Sequence, residues 1–116
     1  MIKRLKDTEP IHFEGLTIFD YTAGSDGSSS FAVVEVPAGV SHRSARSKRS
    51  DKRYFVTEGQ LHFKIGDQQQ LLAKGDYCLI QAGVPFSYKN AGDRAAQLIL
   101  VHTPPFRMED EEFLEG

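Results

Sequence analysis

The 116 residues predict an all-β protein, a sandwich or barrel of short strands. Three observations carry this. Runs of β-prone residues recur roughly every 8 to 12 positions with turn-forming clusters between them. Leu61, Phe63 and Ile65 alternate with His62 and Lys64 at a period of two, as in a strand with one wet face. No window before residue 105 sustains a helical period.

In order, residues 1–10 are a polar arm, and Ile11 to Phe13 and Leu16 to Tyr21 are two short strands joined at Glu14-Gly15. Glycine and small polar residues from 23 to 30 form a turn cluster. Phe31 to Val36 is a β-branched run closed by Pro37, which lacks the N–H that would continue a ladder. Tyr54 to Thr57 and Leu61 to Ile65 flank Glu58-Gly59-Gln60. Gly66-Asp67 turns the chain into Gln69 to Ala73, and Lys74-Gly75-Asp76 turns it again. Tyr77 to Ile80, Pro85 to Tyr88 and Ala95 to His102 supply the remaining strands. Residues 105–116 form an acidic tail, either a short helix docked by Phe113 and Leu114 or, as this composition favours, a loosely docked segment.

Composition bounds the function. A chain of this length fits one domain, residues 1–116, that buries roughly two-thirds of its unfolded surface. With 40% apolar and 26% charged residues and no run near the ~18 of a membrane span, a soluble globular protein without membrane insertion is expected. The N-terminal ten residues carry charges with no apolar segment behind them, so no secretory signal is expected. The single cysteine, Cys78, rules out an internal disulfide and points to a cytoplasmic setting, where it is read as a small buried hydrophobe. The nucleophile elbow, the phosphate loop, the dinucleotide fingerprint and paired C-x2-C cysteines are all absent from the sequence.

Two stretches carry the chemistry, PAGVSHRSARSKRSDKRYFVTEG (37–59) and GDYCLIQAGVPFSYKN (75–90). The first fits the spacing G-x5-H-x-H-x4-E-x6-G through Gly39 and Gly59. The second fits G-x5-P-x-G-x2-H-x3-N through Gly75, Gly83 and Asn90, with Pro85 just before the histidine position. Together they resemble the two motifs of the cupin superfamily, of the small single-domain kind, over residues 31 to 103. The resemblance implies a double-stranded β-helix, or jelly-roll, barrel. It also implies that the family's four metal-ligand positions fall on Ala45, Ser47, Lys52 and Phe86. A transition metal needs imidazole or carboxylate donors at about 2.0–2.2 Å. A methyl, a hydroxyl, an ammonium and a phenyl ring do not supply them, so no metal and no cofactor are expected.

If Lys52 points inward, so do Tyr54 and Val56; if Phe86 does, Tyr88 follows. Phe86 and Tyr88 then form an aromatic wall, with Lys52, Tyr54, Gln81, Tyr88 and His102 as polar groups. Lys52 has three readings: a solvated lysine at the rim, an anchor for a carboxylate or phosphate, or a neutral amine fit for base or Schiff-base work. His42, three residues after Gly39, reads as a solvated loop histidine, or under a slipped alignment as a remnant of the H-x-H pair with Ser44; His12 and His62 read as facing solvent. Between His42 and Arg53 six basic residues stand against one acid in a chain of net charge −2. In a cupin this segment borders the barrel opening, where Arg43 and Arg46 would steer an anion inward. Alternatively it is a solvated loop that pairs with the acidic tail. Nucleic acid is disfavoured by the sequence pI of about 6.1 and the absence of a base-stacking motif.

Three functions follow: a module binding a small polar or anionic ligand of the sugar or carboxylate type; a metal-free isomerase, epimerase or lyase using Lys52, Tyr54 or His102 as acid and base; and a ligand-free interaction or regulatory protein. The family also implies a homodimer, with Phe55, outward by alternation, as a contact. Elemental analysis of the purified protein is expected to find no stoichiometric iron, nickel, manganese or zinc. One equivalent of any of them would contradict the reading of the four ligand positions.

Overall fold

Alternating side chains can all reach a core only if the strands close into two facing sheets, and the chain does so. A computed structural model describes residues 1–25 and 27–114. Its strands are β1 (Ile11–Phe13), β2 (Leu16–Asp20), β3 (Ser30–Val36), β4 (Ser41–Ser47), β5 (Asp51–Glu58), β6 (Gln60–Ile65), β7 (Gln68–Ala73), β8 (Tyr77–Ile80), β9 (Phe86–Lys89), β10 (Ala96–Thr103) and β11 (Glu111–Phe113). One sheet runs β1-β2-β3-β10-β5-β8 and the other β11-β4-β9-β6-β7, with antiparallel pairing throughout. The architecture is the expected jelly-roll barrel. Asp26, within the turn cluster at 23–30, and the acid Glu115 of the tail lie outside the described residues. Among the described residues no helix is long and apolar enough to cross a membrane.

The inward faces divide the barrel lengthwise. Val36, Val56, Leu61, Ala96 and Leu98 are buried and fill one end. Burying a large aliphatic side chain contributes about 1.5–3 kcal/mol, so this plug supplies much of the folding drive. Toward the other end the same strands present Lys52, Tyr54 and His102, which register brings together: Lys52 pairs His102 and Tyr54 pairs Leu100.

The motif residues have structural roles. Gly39, Gly59, Gly75 and Gly83 all adopt positive φ, from 72° to 93°, where a side chain is strained. Gly59 is the tightest: a Cβ there would lie 3.0 Å from the Ala95 carbonyl oxygen and from Ala96. Asn90 is buried; its Nδ2 donates to the carbonyls of Val36 (2.9 Å) and Arg94 (2.7 Å), and its Oδ1 accepts from the Gly92 amide at 3.0 Å. The glycine and asparagine spacing therefore reports backbone geometry. The Glu14-Gly15 hairpin turn has φ of 49° and 93° at its two residues, as a two-residue turn of the I′ kind requires.

Two segments differ from the sequence reading. The basic stretch is no rim loop along its whole length, because residues 41–47 form β4 inside the smaller sheet. The acidic tail is neither helical nor loosely docked. After a short 3-10 turn at Met108–Asp110, Glu111–Phe113 pairs with β4 in the register Glu111↔Ser47, Glu112↔Arg46 and Phe113↔Ala45. The amides of Lys48 and Leu114 extend this ladder to the carbonyls of Asp110 and Ser44.

Candidate functional site

A cavity of about 190 Å³ occupies the barrel end that the aliphatic plug leaves open. Its walls are mostly apolar, from Ile11, Phe13, Leu16, Ile18, Leu100, Phe106, Met108 and Phe113. A few polar side chains converge among them: His42, Lys52, Tyr54, Tyr88, His102 and Glu111, with Asp20 and Ser30 also on the lining.

Lys52 is the electrostatic centre. Its Nζ donates to Glu111 Oε1 at 2.5 Å and to His102 Nε2 at 2.9 Å, and all three groups are buried. Burial pulls the ammonium below the usual lysine range, while the Glu111 carboxylate opposes that fall by charge and by hydrogen bond. An ammonium has only donors, so His102 Nε2 must accept, leaving its proton on Nδ1. Burial, reinforced by the Lys52 charge, lowers His102 to about 3 and keeps it neutral.

His42 owes its position to a β-bulge. The β4–β9 register passes from His42↔Tyr88 to Ala45↔Phe86 with a shift between them, so Arg43 and Ser44 of β4 stand opposite Ser87 alone and β4 carries one extra residue. The freed Arg43 carbonyl accepts the His42 Nδ1 proton at 2.7 Å. The imidazole packs among Phe86 (5.1 Å between ring centres), Tyr88 (5.2 Å) and Phe13 (6.1 Å). Burial lowers its pKa to about 4, with Lys52 and Arg43 pushing the same way and the Arg43 carbonyl and Glu14 opposing. At neutral pH His42 is therefore uncharged, with an unprotonated Nε2 that bonds no described residue.

Tyr54 and Tyr88 stand beside it, their ring centres 5.6 Å apart. Burial raises both phenols far above their usual range, so both keep their protons. Neither hydroxyl bonds a described residue, yet no sealed side-chain polar atom lacks a partner among them. The two hydroxyls therefore open onto the cavity and are free to serve a ligand.

Of the residues expected in the pocket, Lys52, Tyr54, Tyr88 and His102 line the cavity, and Phe86 lies just behind it with Lys52 Nζ 5.2 Å from its ring centre. Gln81 does not: Ile80 points inward, so the next residue faces outward at the start of an exposed turn. Arg43 and Arg46 are not cavity groups either. Arg46 faces out between the buried Ala45 and Ser47 and pairs with Glu112, while Arg43 pairs with Glu14 at 3.5 Å and lies over the Phe113 ring. His42, read as a loop histidine, lines the cavity instead. Glu111, in a stretch whose composition reads as a solvated tail, lines the cavity too; the only sign of this in the sequence is the E-E-F run that can pair with the basic residues 43–49. Cys78 is half-buried with its thiol raised by burial to about 11, hence protonated.

The residues at the family's ligand positions do not fit a metal. All four are buried, but Ser47 Oγ accepts from the Arg49 and Ser50 amides at 3.2 and 2.8 Å, and Lys52 places a cation where a carboxylate would be needed. Among the described residues no group of three or more His, Cys, Asp or Glu converges as a metal site.

The histidines give stability a pH dependence. Each favours its neutral form in the fold, so the unfolded chain binds more protons once pH falls below about 6.5, and stability is lost from there down toward pH 4 for His42 and pH 3 for His102. For His42 the full loss is about 3 kcal/mol. Urea unfolding at intervals across this window should show the fall, and His42→Gln should flatten part of it. An unchanged slope in that variant would mean that His42 is not held neutral.

Comparisons with known proteins bear on the fold and the family. The chain is similar in structure to Pac13 of Streptomyces, with a TM-score of 0.86 at 19% identity over 99% of this chain and 91% of that one. It is similar also to KdgF from Halomonas sp. (0.81, 13% identity, 94% and 96% covered) and to a predicted oxalate decarboxylase from Thermotoga maritima (0.78, 16%, 90% and 99%). At these identities the likeness shows a shared fold. No curated protein matches the chain in sequence. Residues 32–102, more than half of the chain, match the family of cupin domains, and the chain belongs to the cupin family.

Proposed function

We propose that the barrel binds a small hydroxylated molecule of the sugar or nucleoside type in this cavity and acts on it by metal-independent acid–base chemistry of the lyase class. The observation that carries the reading is the neutral His42 with its bare Nε2 beside two phenol hydroxyls that bond no described residue. In an elimination on a hydroxy-aldehyde or hydroxy-ketone, His42 Nε2 takes the proton from the carbon next to the carbonyl. The electron pair forms the C=C bond, and the C–O bond of the neighbouring hydroxyl breaks. Lys52 donates the proton that lets this oxygen leave as water, and exchange with solvent returns the proton from His42 to Lys52. A phenol donor facing the carbonyl oxygen would stabilise the charge that develops there. The structural neighbour Pac13 supports the reading. It is described as a nucleoside dehydratase and has been solved with uridine in variants where one histidine became glutamine or a tyrosine became phenylalanine, the residue types that meet in this cavity.

Calorimetric titration with uridine and simple nucleosides is the first check. Tyr88→Phe should weaken binding about 2- to 13-fold, the net worth of one hydrogen bond. His42→Gln should keep binding but lose deuterium exchange of the acidic C–H in a bound hydroxy-ketone. Exchange that persists in His42→Gln would refute the assignment of the base, and binding without exchange in the wild type would leave a binding module.

A second observation bears on assembly. On the outer face of the larger sheet Phe19, Val33, Ile99, Phe55 and Tyr77 form one row across five strands, with Phe31, Val101 and Leu79 in the next. Phe55 and Tyr77 are 39% and 54% exposed, more than isolated aromatics on a strand need be. Glu35 and Arg53 flank Ile99 diagonally on this face, and neither makes an ion pair among the described residues. A two-fold axis lying in the interface over Ile99 would bring each against its counterpart, so the covering partner is a second copy. Sedimentation should show a dimer that Arg53→Glu dissociates and that Glu35→Arg combined with Arg53→Glu restores. A wild-type monomer would refute it. With Cys78 a free thiol, the reducing cytoplasm is its compartment in this reading.

A further inference from the structure

We propose that Glu111 determines the charge class of the ligand: by occupying the Lys52 ammonium it makes the cavity a site for uncharged hydroxylated molecules and shuts out their phosphorylated and carboxylate relatives. The inference rests on the reading of this cavity as the ligand site.

The charges on the lining are few. Among the described residues Lys52 is its one cation, since His42 and His102 are neutral near pH 7 and no arginine is on the lining. Against Lys52 stand Glu111, in contact, and Asp20, whose Oδ1 accepts from the Thr22 amide and hydroxyl at 2.9 Å each. An entering anion meets no unpaired positive charge and two carboxylates. Burying an anion without a counter-charge costs several kcal/mol. An uncharged polyol, by contrast, meets the hydroxyls of Tyr54 and Tyr88 and the bare His42 nitrogen.

Nor can the basic stretch reverse this from outside. Arg43 pairs with Glu14, Arg46 with Glu112 and Arg49 with Asp110. Two of those three acids flank Glu111 in sequence and lie on the same terminal segment. That segment thus balances Arg46 and Arg49 outside and Lys52 inside, while Lys48 and Arg53, which pair with no described acid, lie off the cavity lining, and a charge count along residues 42–53 does not reveal this.

Glu111→Gln keeps the side chain's size and an oxygen for Lys52 while removing its charge. The variant leaves a buried ammonium with no counter-ion, which an entering carboxylate or phosphate can supply. Thermal shift and calorimetry with acetate and with inorganic phosphate, at about 50 and 300 mM salt, compare wild type, Glu111→Gln and Glu111→Gln combined with Lys52→Met. Glu111→Gln should bind acetate about tenfold or more tightly than wild type, as a charged hydrogen bond implies. The gain should weaken with salt and vanish in the double variant. A lost structural contact would lower stability but would confer no affinity for anions. Wild-type protein that binds acetate or phosphate as tightly as the variant, or a folded variant that gains nothing, overturns the proposal.

Should Glu111→Gln not fold by circular dichroism, the wild type still decides: uridine and uridine 5′-monophosphate are titrated side by side. Uridine binding at least tenfold more tightly supports the proposal, and equal affinity refutes it. Nucleoside exclusion together with an anion gain in Glu111→Gln would instead refute the proposed function and leave the role of Glu111 intact.

Discussion

A lysine ammonium cannot sit inside a barrel without partners, and the constraint that Lys52 imposes reaches across this molecule. Its stem is fixed in β5 and its neighbour His102 in β10, both in the larger sheet. The carboxylate that balances it comes from β11, on the edge of the other sheet. To place Glu111 there, the chain must turn after β10, run past the cavity and return along β4, and the Arg46–Glu112 and Arg49–Asp110 pairs lie along that return. An apolar pair of similar volume would be about as stable. The pair is therefore better understood through the cavity it creates than through stability: it fixes the tautomer of His102 and helps to keep His42 neutral.

The sequence revealed what backbone periodicity controls. Strands such as Gln60–Ile65 and Ala96–Thr103 fall within a residue or so of their expected bounds, because alternation and turn residues act locally. The motif spacing was legible because Gly39, Gly59, Gly75, Gly83 and Asn90 answer local geometric demands. Lys52, Tyr54, Tyr88 and His102 followed from alternation along strands already identified.

What stayed hidden depends on contacts between distant segments. β4 is written in serine, arginine and histidine, which carry no strand signal; it is a strand because β9 and β11 hold it on both sides. The inward turn of His42 comes from a bulge, and a one-residue change of register sends a side chain to the opposite face. Glu111 was hidden by composition, since a run of acids at a terminus reads as a solvated tail until the basic strand beside it is known. Gln81 was misplaced for the converse reason, because strand alternation stops where β8 ends at Ile80.

The cupin barrel here keeps a cavity into which Lys52, at one of the family's ligand positions, brings an internal ion pair, beside a neutral histidine and two phenols that bond no described residue. The most direct test is nitrogen-15 NMR of the Lys52 side chain followed through neutral pH. The account predicts an ammonium bearing three protons and coupled to Glu111, with the coupling but not the charge lost in Glu111→Gln. A neutral amine at pH 7 in the wild-type protein, or an ammonium indifferent to Glu111, would contradict it.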